Sequence, residues 1–149
     1  MLIGRTSAKV VSSTAGEMQV VAPPQFDGIS QTYVIVNARG FSTSPQTVTV
    51  VTADPGLYAL PSGAQVAVGG SLTVTATGLG AVDATGKVVT PVTAKLGDLD
   101  ATVTSATLPS GADGVYQLKI AIPAGATGAQ PLAVTQSGIT SNQITVTVQ

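Results

Sequence analysis

Apolar side chains recur at every second position along most of this chain. Leu72-Thr73-Val74-Thr75 alternates, as do Val48-Thr49-Val50 and Ile144-Thr145-Val146-Thr147-Val148. Tyr116-Gln117-Leu118-Lys119-Ile120-Ala121-Ile122 alternates over its whole run. A period of two sends neighbouring side chains to opposite faces of a strand. The Val and Thr that dominate these runs are β-branched and favour a pleated backbone. No helical stripe of useful length is present. The pattern predicts strands over 8–13, 17–22, 31–38, 46–52, 65–68, 71–77, 92–96, 101–107, 115–122, 131–136 and 143–149.

Turn formers separate the runs. They include Ala22-Pro23-Pro24, Asp54-Pro55-Gly56, Pro61-Ser62-Gly63, Gly69-Gly70, Pro109-Ser110-Gly111, Asp113-Gly114 and Pro123-Ala124-Gly125. Proline presets φ and glycine admits positive φ, as tight turns require. Short strands between frequent turns imply an all-β sandwich with a Greek-key path.

The chain also repeats itself. Leu2-Ile3-Gly4, followed by Ala8–Ser13, matches Lys95-Leu96-Gly97, followed by Ala101–Ala106. Met18–Pro23 matches Leu118–Pro123, and Val34-Ile35-Val36 with Gly40-Phe41-Ser42 matches Leu132-Ala133-Val134 with Gly138-Ile139-Thr140. Ser44–Val50 matches Ser141–Thr147. Four blocks in one order point to two units on one supersecondary plan. The second copy is preceded by the strand-like runs of 65–77, whereas the first has no counterpart before Leu2. The expected organisation is a truncated unit over 1–52, a Pro/Gly connector over 53–64 and a complete unit over 65–149. In the connector, Leu57, Tyr58 and Leu60 are expected at an interdomain joint, with packing into one unit's own core as the alternative. The uncovered first unit is read in three ways: an upstream part cut away, a strand donated by a second copy, or a smaller sheet.

Composition narrows the function classes. The 149 residues include no Cys, His or Trp, and the formal charge is −1. Six basic against seven acidic residues argue against a nucleic-acid binder. Without Cys there is no disulfide scaffold or thiolate site, and without His or Cys there is no Ser-His-Asp triad or Cys nucleophile. No apolar stretch approaches the length of a helical membrane span. The surface, rich in Thr, Ser and Gly and poor in Lys and Glu, suits an extracellular or cell-surface setting.

The run Gly78-Leu79-Gly80, Pro91–Gly97, Gly114–Gly125 and Gly138 with Ser141–Val146 resembles an uncharacterised module at the C-terminal ends of large exported proteins of soil acidobacteria. More broadly it resembles the IPT/TIG branch of immunoglobulin-like domains. Pro55-Gly56-Leu57-Tyr58 is similar to the Pro-Gly-aromatic joint of that module. The resemblance departs at the start of the chain and at 61–70. It implies tandem immunoglobulin-like β-sandwiches, the first lacking its opening strands, in an exported protein. It implies no catalytic residue and no cofactor.

Candidate chemistry is thin. A Ser-Lys dyad with Lys9, Lys87, Lys95 or Lys119 has no supporting motif. Asp98 and Asp100, two apart, would share a face of an extended segment and are the candidates for cation ligands, with Asp83 or Asp113 completing an oxygen set; the plain alternative is a solvated hairpin. Lys9, Asn37 and Glu17 form a conceivable isopeptide trio. Phe26 and Asp27 are the candidate ligand contacts, in a loop over 23–30. Tyr116 and Phe41 read as packing positions. The expected role is a non-catalytic structural or adhesive segment, a spacer or assembly module whose partners are proteins (neighbouring domains or a second copy). The alternatives are a glycan- or protein-binding module acting through loops 23–30 and 108–114, and a filament or virion subunit assembled by strand exchange. No nucleic-acid partner or membrane insertion is expected.

Overall fold

The computed structural model describes residues 1–22 and 30–149. The described residues are all β and turn, and they divide into two compact units, Met1–Val51 and Thr52–Gln149.

The first unit contains β1 (Leu2–Ile3), β2 (Thr6–Ser7), β3 (Lys9–Ser13), β4 (Met18–Val21), β5 (Gln31–Ile35), β6 (Asn37–Ala38), β7 (Phe41–Ser42) and β8 (Gln46–Thr49). One sheet runs β2-β1-β5-β8, and β3-β4 and β6-β7 form separate two-stranded ladders. The second unit contains β9 (Gly56–Leu57), β10 (Gln65–Val66), β11 (Ser71–Thr77), β12 (Thr93–Leu96), β13 (Leu99–Thr107), β14 (Val115–Ala121), β15 (Gly128–Gln136), β16 (Ile139–Thr140) and β17 (Ile144–Val148).

The second unit has the strand order of an immunoglobulin-like sandwich. One sheet is β9-β11-β14-β13, the other β10-β17-β15-β12-β13. β13 serves both sheets: Leu99–Ala101 pairs with β12, and Thr102 onward pairs with β14. The bulge between Val103 and Ser105 lies in the part that pairs with β14; bulges bend a strand and increase its twist. β10 runs parallel to β17, while the other ladders of the unit are antiparallel. The apolar face of each long strand is buried. Tyr116, Leu118 and Ile120 of β14 face inward with Val74 and Ala76 of β11, opposite Leu132, Val134, Ile144, Val146 and Val148 of the other sheet. Thr and Ser alternate with them on the outer faces.

The first unit shows the same pairings as the C-terminal part of the second. Ile3 faces Val34 as Leu96 faces Leu132. Val10 faces Val20 and Ser12 faces Gln19 across a bulge, as Val103 faces Ile120 and Ser105 faces Lys119 across a bulge. The hairpin turns Arg39-Gly40 and Ser137-Gly138 both place two residues at positive φ, the type I′ geometry that matches strand twist. The Val36 amide donates to Thr43 Oγ1 and the Val134 amide to Ser141 Oγ, both at 3.1 Å. Val34 faces Gln46 as Leu132 faces Ile144. The last block therefore aligns one residue away from the match read in the sequence: Thr43, not Ser44, stands where Ser141 does. Alternating Thr-Val runs match almost as well when slid, and only the ladder chooses.

The predicted strands from 71 to 122 lie within about two residues of those observed. The run 31–38 is broken at Val36 into β5 and β6. The two-residue strands β1, β2, β7, β9 and β16 are too short to show a period. The stretch 53–64, expected as a connector, falls within the second unit. Leu57 sits on β9 in that unit's core, Leu60 packs partly buried on the same core, and Tyr58 is exposed. Phe41, expected to pack, is 80% exposed.

Gly78 fixes how this stretch seats. It has φ +72°, and a Cβ there would overlap the Asp54 carbonyl oxygen. Gly78 also accepts the Asp54 amide at 2.9 Å. Gly111 has a similar φ of +77° but open space around it. Gly78→Ala is expected to cost more than about 3 kcal/mol, while Gly111→Ala costs the left-handed strain alone, about 1–2 kcal/mol. Urea unfolding of the two variants checks the difference.

Candidate functional site

Several polar side chains of the second unit terminate on backbone. Asn142, just before β17, is the clearest case. Its Oδ1 accepts the Leu57 amide at 2.7 Å, and its Nδ2 donates to the Leu57 carbonyl at 3.0 Å. A side-chain amide carries both a donor and an acceptor, so it pairs with one residue of β9 as a neighbouring strand would. Ser141 holds the base of this clamp, accepting from the Val134 amide and donating to the Asn142 carbonyl at 2.7 Å.

Gln136 ties down the segment between β11 and β12. It is 1% exposed, and its Nε2 donates to the Leu79 carbonyl at 3.1 Å and the Thr90 carbonyl at 2.9 Å. Its Oε1 is buried without a partner among the described residues. Tyr116 donates its hydroxyl to the Gly80 carbonyl, and burial raises its phenol above the ordinary value. Leu79, fully buried between Gly78 and Gly80, is the apolar anchor these bonds surround.

Asp83 organises the bridge between Val82 and Val88. Its Oδ1 accepts the Thr85 hydroxyl at 2.6 Å, the Thr85 amide at 2.8 Å and the Lys87 amide at 3.0 Å. The Thr85 hydroxyl, followed by the two amides, holds the Asp83 carboxyl below its ordinary value. Asp98 lies in the β12–β13 turn, and Asp100 faces Lys95 across the hairpin with Nζ–Oδ1 at 3.3 Å, both side chains largely exposed. Neither Asp83 nor Asp113 joins them: among the described residues no three acidic side chains stand close enough to hold a metal together. Asp100 is instead one half of a solvated ion pair, of the kind that contributes little.

The outer face of β12 and β15 carries a shallow, open depression lined by Thr93, Lys95, Ala133, Thr135, Thr140 and Gln143. Thr135 and Thr140 share a hydroxyl hydrogen bond at 2.9 Å, and Thr93 Oγ1 donates to the Thr135 carbonyl at 3.3 Å. These hydroxyls are already engaged, and the charged part of the lining is the Lys95–Asp100 ion pair. The remaining candidates scatter. Phe26 and Asp27 lie outside the described residues. The loop 108–114 is a turn closed by the Ala112 amide on the Pro109 carbonyl. Asn37 Oδ1 accepts the Ser42 hydroxyl and Glu17 accepts the Gln19 amide, so each of these two members of the isopeptide trio has a neighbour of its own. The residues missed by the sequence reading are Asn142 and Gln136. The one available signal was a large amide side chain at the border of an apolar strand, a position that needs a partner when buried.

No family model and no curated protein matches the sequence. Among solved structures the chain is similar to the crystal structure of the S-layer protein SbsC domains 4 and 5. The identity is 18% and the TM-score 0.34, over 94% of this chain and 65% of that one. The chain thus spans under two thirds of that structure, and a likeness at this score lends no weight to a functional reading.

Asn142→Ala leaves the Leu57 amide and carbonyl without their partner and is expected to cost about 2 kcal/mol. Hydrogen exchange at Leu57 and Tyr58 should accelerate well ahead of exchange at Leu118. For Asp83 the folded value is depressed, so its contribution is present above the ordinary carboxylate range and is lost as pH falls through the depressed value. The Thr85 and Lys87 amide shifts should titrate together with a midpoint below 3.8, and Asp83→Asn should abolish that titration.

Proposed function

We propose that the chain is a non-catalytic structural segment of an exported bacterial protein, an immunoglobulin-like spacer of the IPT/TIG kind acting at the cell surface. In this reading the two units are copies of one sandwich plan, and their partners are neighbouring protein domains. Three supports converge. Asn142, Gln136, Ser141 and Tyr116 are spent on backbone, and Asp83 on Thr85 and the Lys87 amide. The outer faces are Thr-rich and weakly charged, as suits an exported surface. The strand pairings of the first unit coincide rung by rung with those of β12–β17 in the second.

The observation that carries the reading is the parallel β10–β17 ladder. Gln65 faces Thr147 and Val66 faces Val148. The Val68 amide extends the ladder to the Gln149 carbonyl, and the Gln149 amide reaches the Val66 carbonyl, at 3.0 Å each. β10 lies near the start of the unit and β17 at its end. Pulling on Thr52 and Gln149 loads the Asn142-clamped β9 and, once that yields, draws these parallel neighbours in opposite directions along their length. The hydrogen bonds then share the shear and fail together instead of opening one by one. A spacer under tension needs this arrangement.

Single-molecule extension of the second unit, held at Thr52 and Gln149, should give one discrete rupture. Val68→Pro removes the donor to Gln149 and should lower the rupture force while leaving the β11–β14 ladder protected from hydrogen exchange. Extension without a discrete rupture, or an unchanged force in the variant, overturns the reading.

A further inference from the structure

An aspartate can react with the main chain that follows it. The amide nitrogen of the next residue attacks the carboxyl carbon, and a five-membered succinimide ring closes. Access to that nitrogen governs the reaction, and glycine, with no side chain, shields it least. The described aspartates differ in this respect. Asp54 precedes Pro55, which has no amide hydrogen to give up. Asp83 precedes Ala84, and its Oδ1 accepts the Thr85 hydroxyl and the Thr85 and Lys87 amides. Asp98 precedes Leu99 and Asp100 precedes the buried Ala101, both held in the β12–β13 ladder. An asparagine closes the same ring with loss of ammonia, but Asn37 is engaged with Ser42 and Asn142 with Leu57. Asp113 is different. It precedes Gly114, and both are exposed in the loop 108–114. Gly114 has φ +72°, and a Cβ there would meet nothing within 4 Å. The other Asp-Gly pair, Asp27-Gly28, lies outside the described residues.

We infer that Asp113-Gly114 is a modification site at which the folded chain closes a succinimide and reopens it as an isoaspartyl linkage. The Gly114 amide nitrogen bonds to Asp113 Cγ. The bond from Cγ to the carboxyl OH breaks, and that OH leaves with the amide proton as one water. A second water then adds to either ring carbonyl. Addition at Cγ restores aspartate. Addition at the main-chain carbonyl carbon breaks its bond to nitrogen, so the chain runs through Cγ, one methylene longer, and a free α-carboxylate remains. Water is the sole co-reactant, and the mass is unchanged overall. Asp113 makes a contact of its own in the folded loop; ring closure needs only that this exposed side chain turn toward Gly114 part of the time. The fold has room for the product. At one end of the loop the Leu108 amide is held by the Gly86 carbonyl at 2.7 Å, and at the other Val115 opens β14 opposite Thr77. The added methylene falls between these fixed points, beside open space at Gly114. The disturbance therefore ends near the Thr77–Val115 rung, and Leu118 and Ile120, both 0% exposed, keep their places. The site is independent of the spacer role.

The test holds the full folded chain in warm neutral buffer and digests samples with trypsin at intervals. The tryptic peptide Leu96–Lys119 contains Asp98, Asp100 and Asp113, so two internal references accompany the site. Fragmentation of this peptide locates isoaspartate, and transfer of a labelled methyl group by an isoaspartyl carboxyl methyltransferase measures it. Isoaspartate at Asp113 should exceed that at Asp98 or Asp100 severalfold, while the Leu118 amide of the intact chain stays protected from hydrogen exchange. Asp113→Glu keeps the charge but would have to close a six-membered ring, and should show none at this position. Three results overturn the inference: no isoaspartate at Asp113, equal amounts at the three acids, or loss of Leu118 protection in step with conversion, which would place the reaction in an unfolded chain.

Discussion

The second unit is organised around the coverage of β14 on both edges and one face. β11 and β13 satisfy its ladder groups, and Tyr116, Leu118 and Ile120 enter the core between the sheets. Full burial of side chains of this size contributes roughly 1.5–3 kcal/mol each. That gain is available only when both neighbouring strands are present, because a half-covered strand leaves the same side chains partly wet. Other features follow from it. β13 has to reach both sheets to close one flank of β14, and it does so with a bulge in the part that pairs with β14. β9 has to seat beside β11, and a two-residue ladder cannot hold it alone.

The supports of β9 and of the β11–β12 segment show how short elements are retained. Asn142 replaces a neighbouring strand with one carboxamide, and Gln136 gathers two carbonyls from a segment with little regular pairing. Gly78 lets the Asp54 main chain approach where a side chain would collide. Each device satisfies backbone groups that would otherwise be buried unpaired, at a cost of about 1–3 kcal/mol apiece. Their common feature is action across long sequence separations, and Asn142 holds the strand that opens the second unit from just before the strand that ends it.

In the first unit the same pairings support much less burial. Ile3 and Ala8 are its buried apolar residues among those described, while β3 and β8 are exposed throughout. A small unit that buries little apolar surface is marginal by itself. The matched registers show that its ladder plan is intact. What differs, among the described residues, is the coverage of β4: it pairs with β3 alone, whereas β14 pairs with both β13 and β11.

The alternation of Val and Thr determined the β class, the longer strands and the turns, because a period of two and the φ demands of Gly and Pro are local properties. The internal similarity was also legible, down to the matched hairpins at Arg39-Gly40 and Ser137-Gly138. Tertiary structure alone decided the rest. The register of the last strand could slide by one in a Thr-Val run until β5 and β15 fixed it. Leu57 and Leu60 could serve a joint or a core until β11 claimed β9. Phe41 matches the half-buried Ile139 in sequence yet lies exposed. Asn142 and Gln136 carry no pattern at all, because their role depends on which carbonyls the folded chain brings within hydrogen-bond reach, and that is a property of three-dimensional closure rather than of neighbours in sequence.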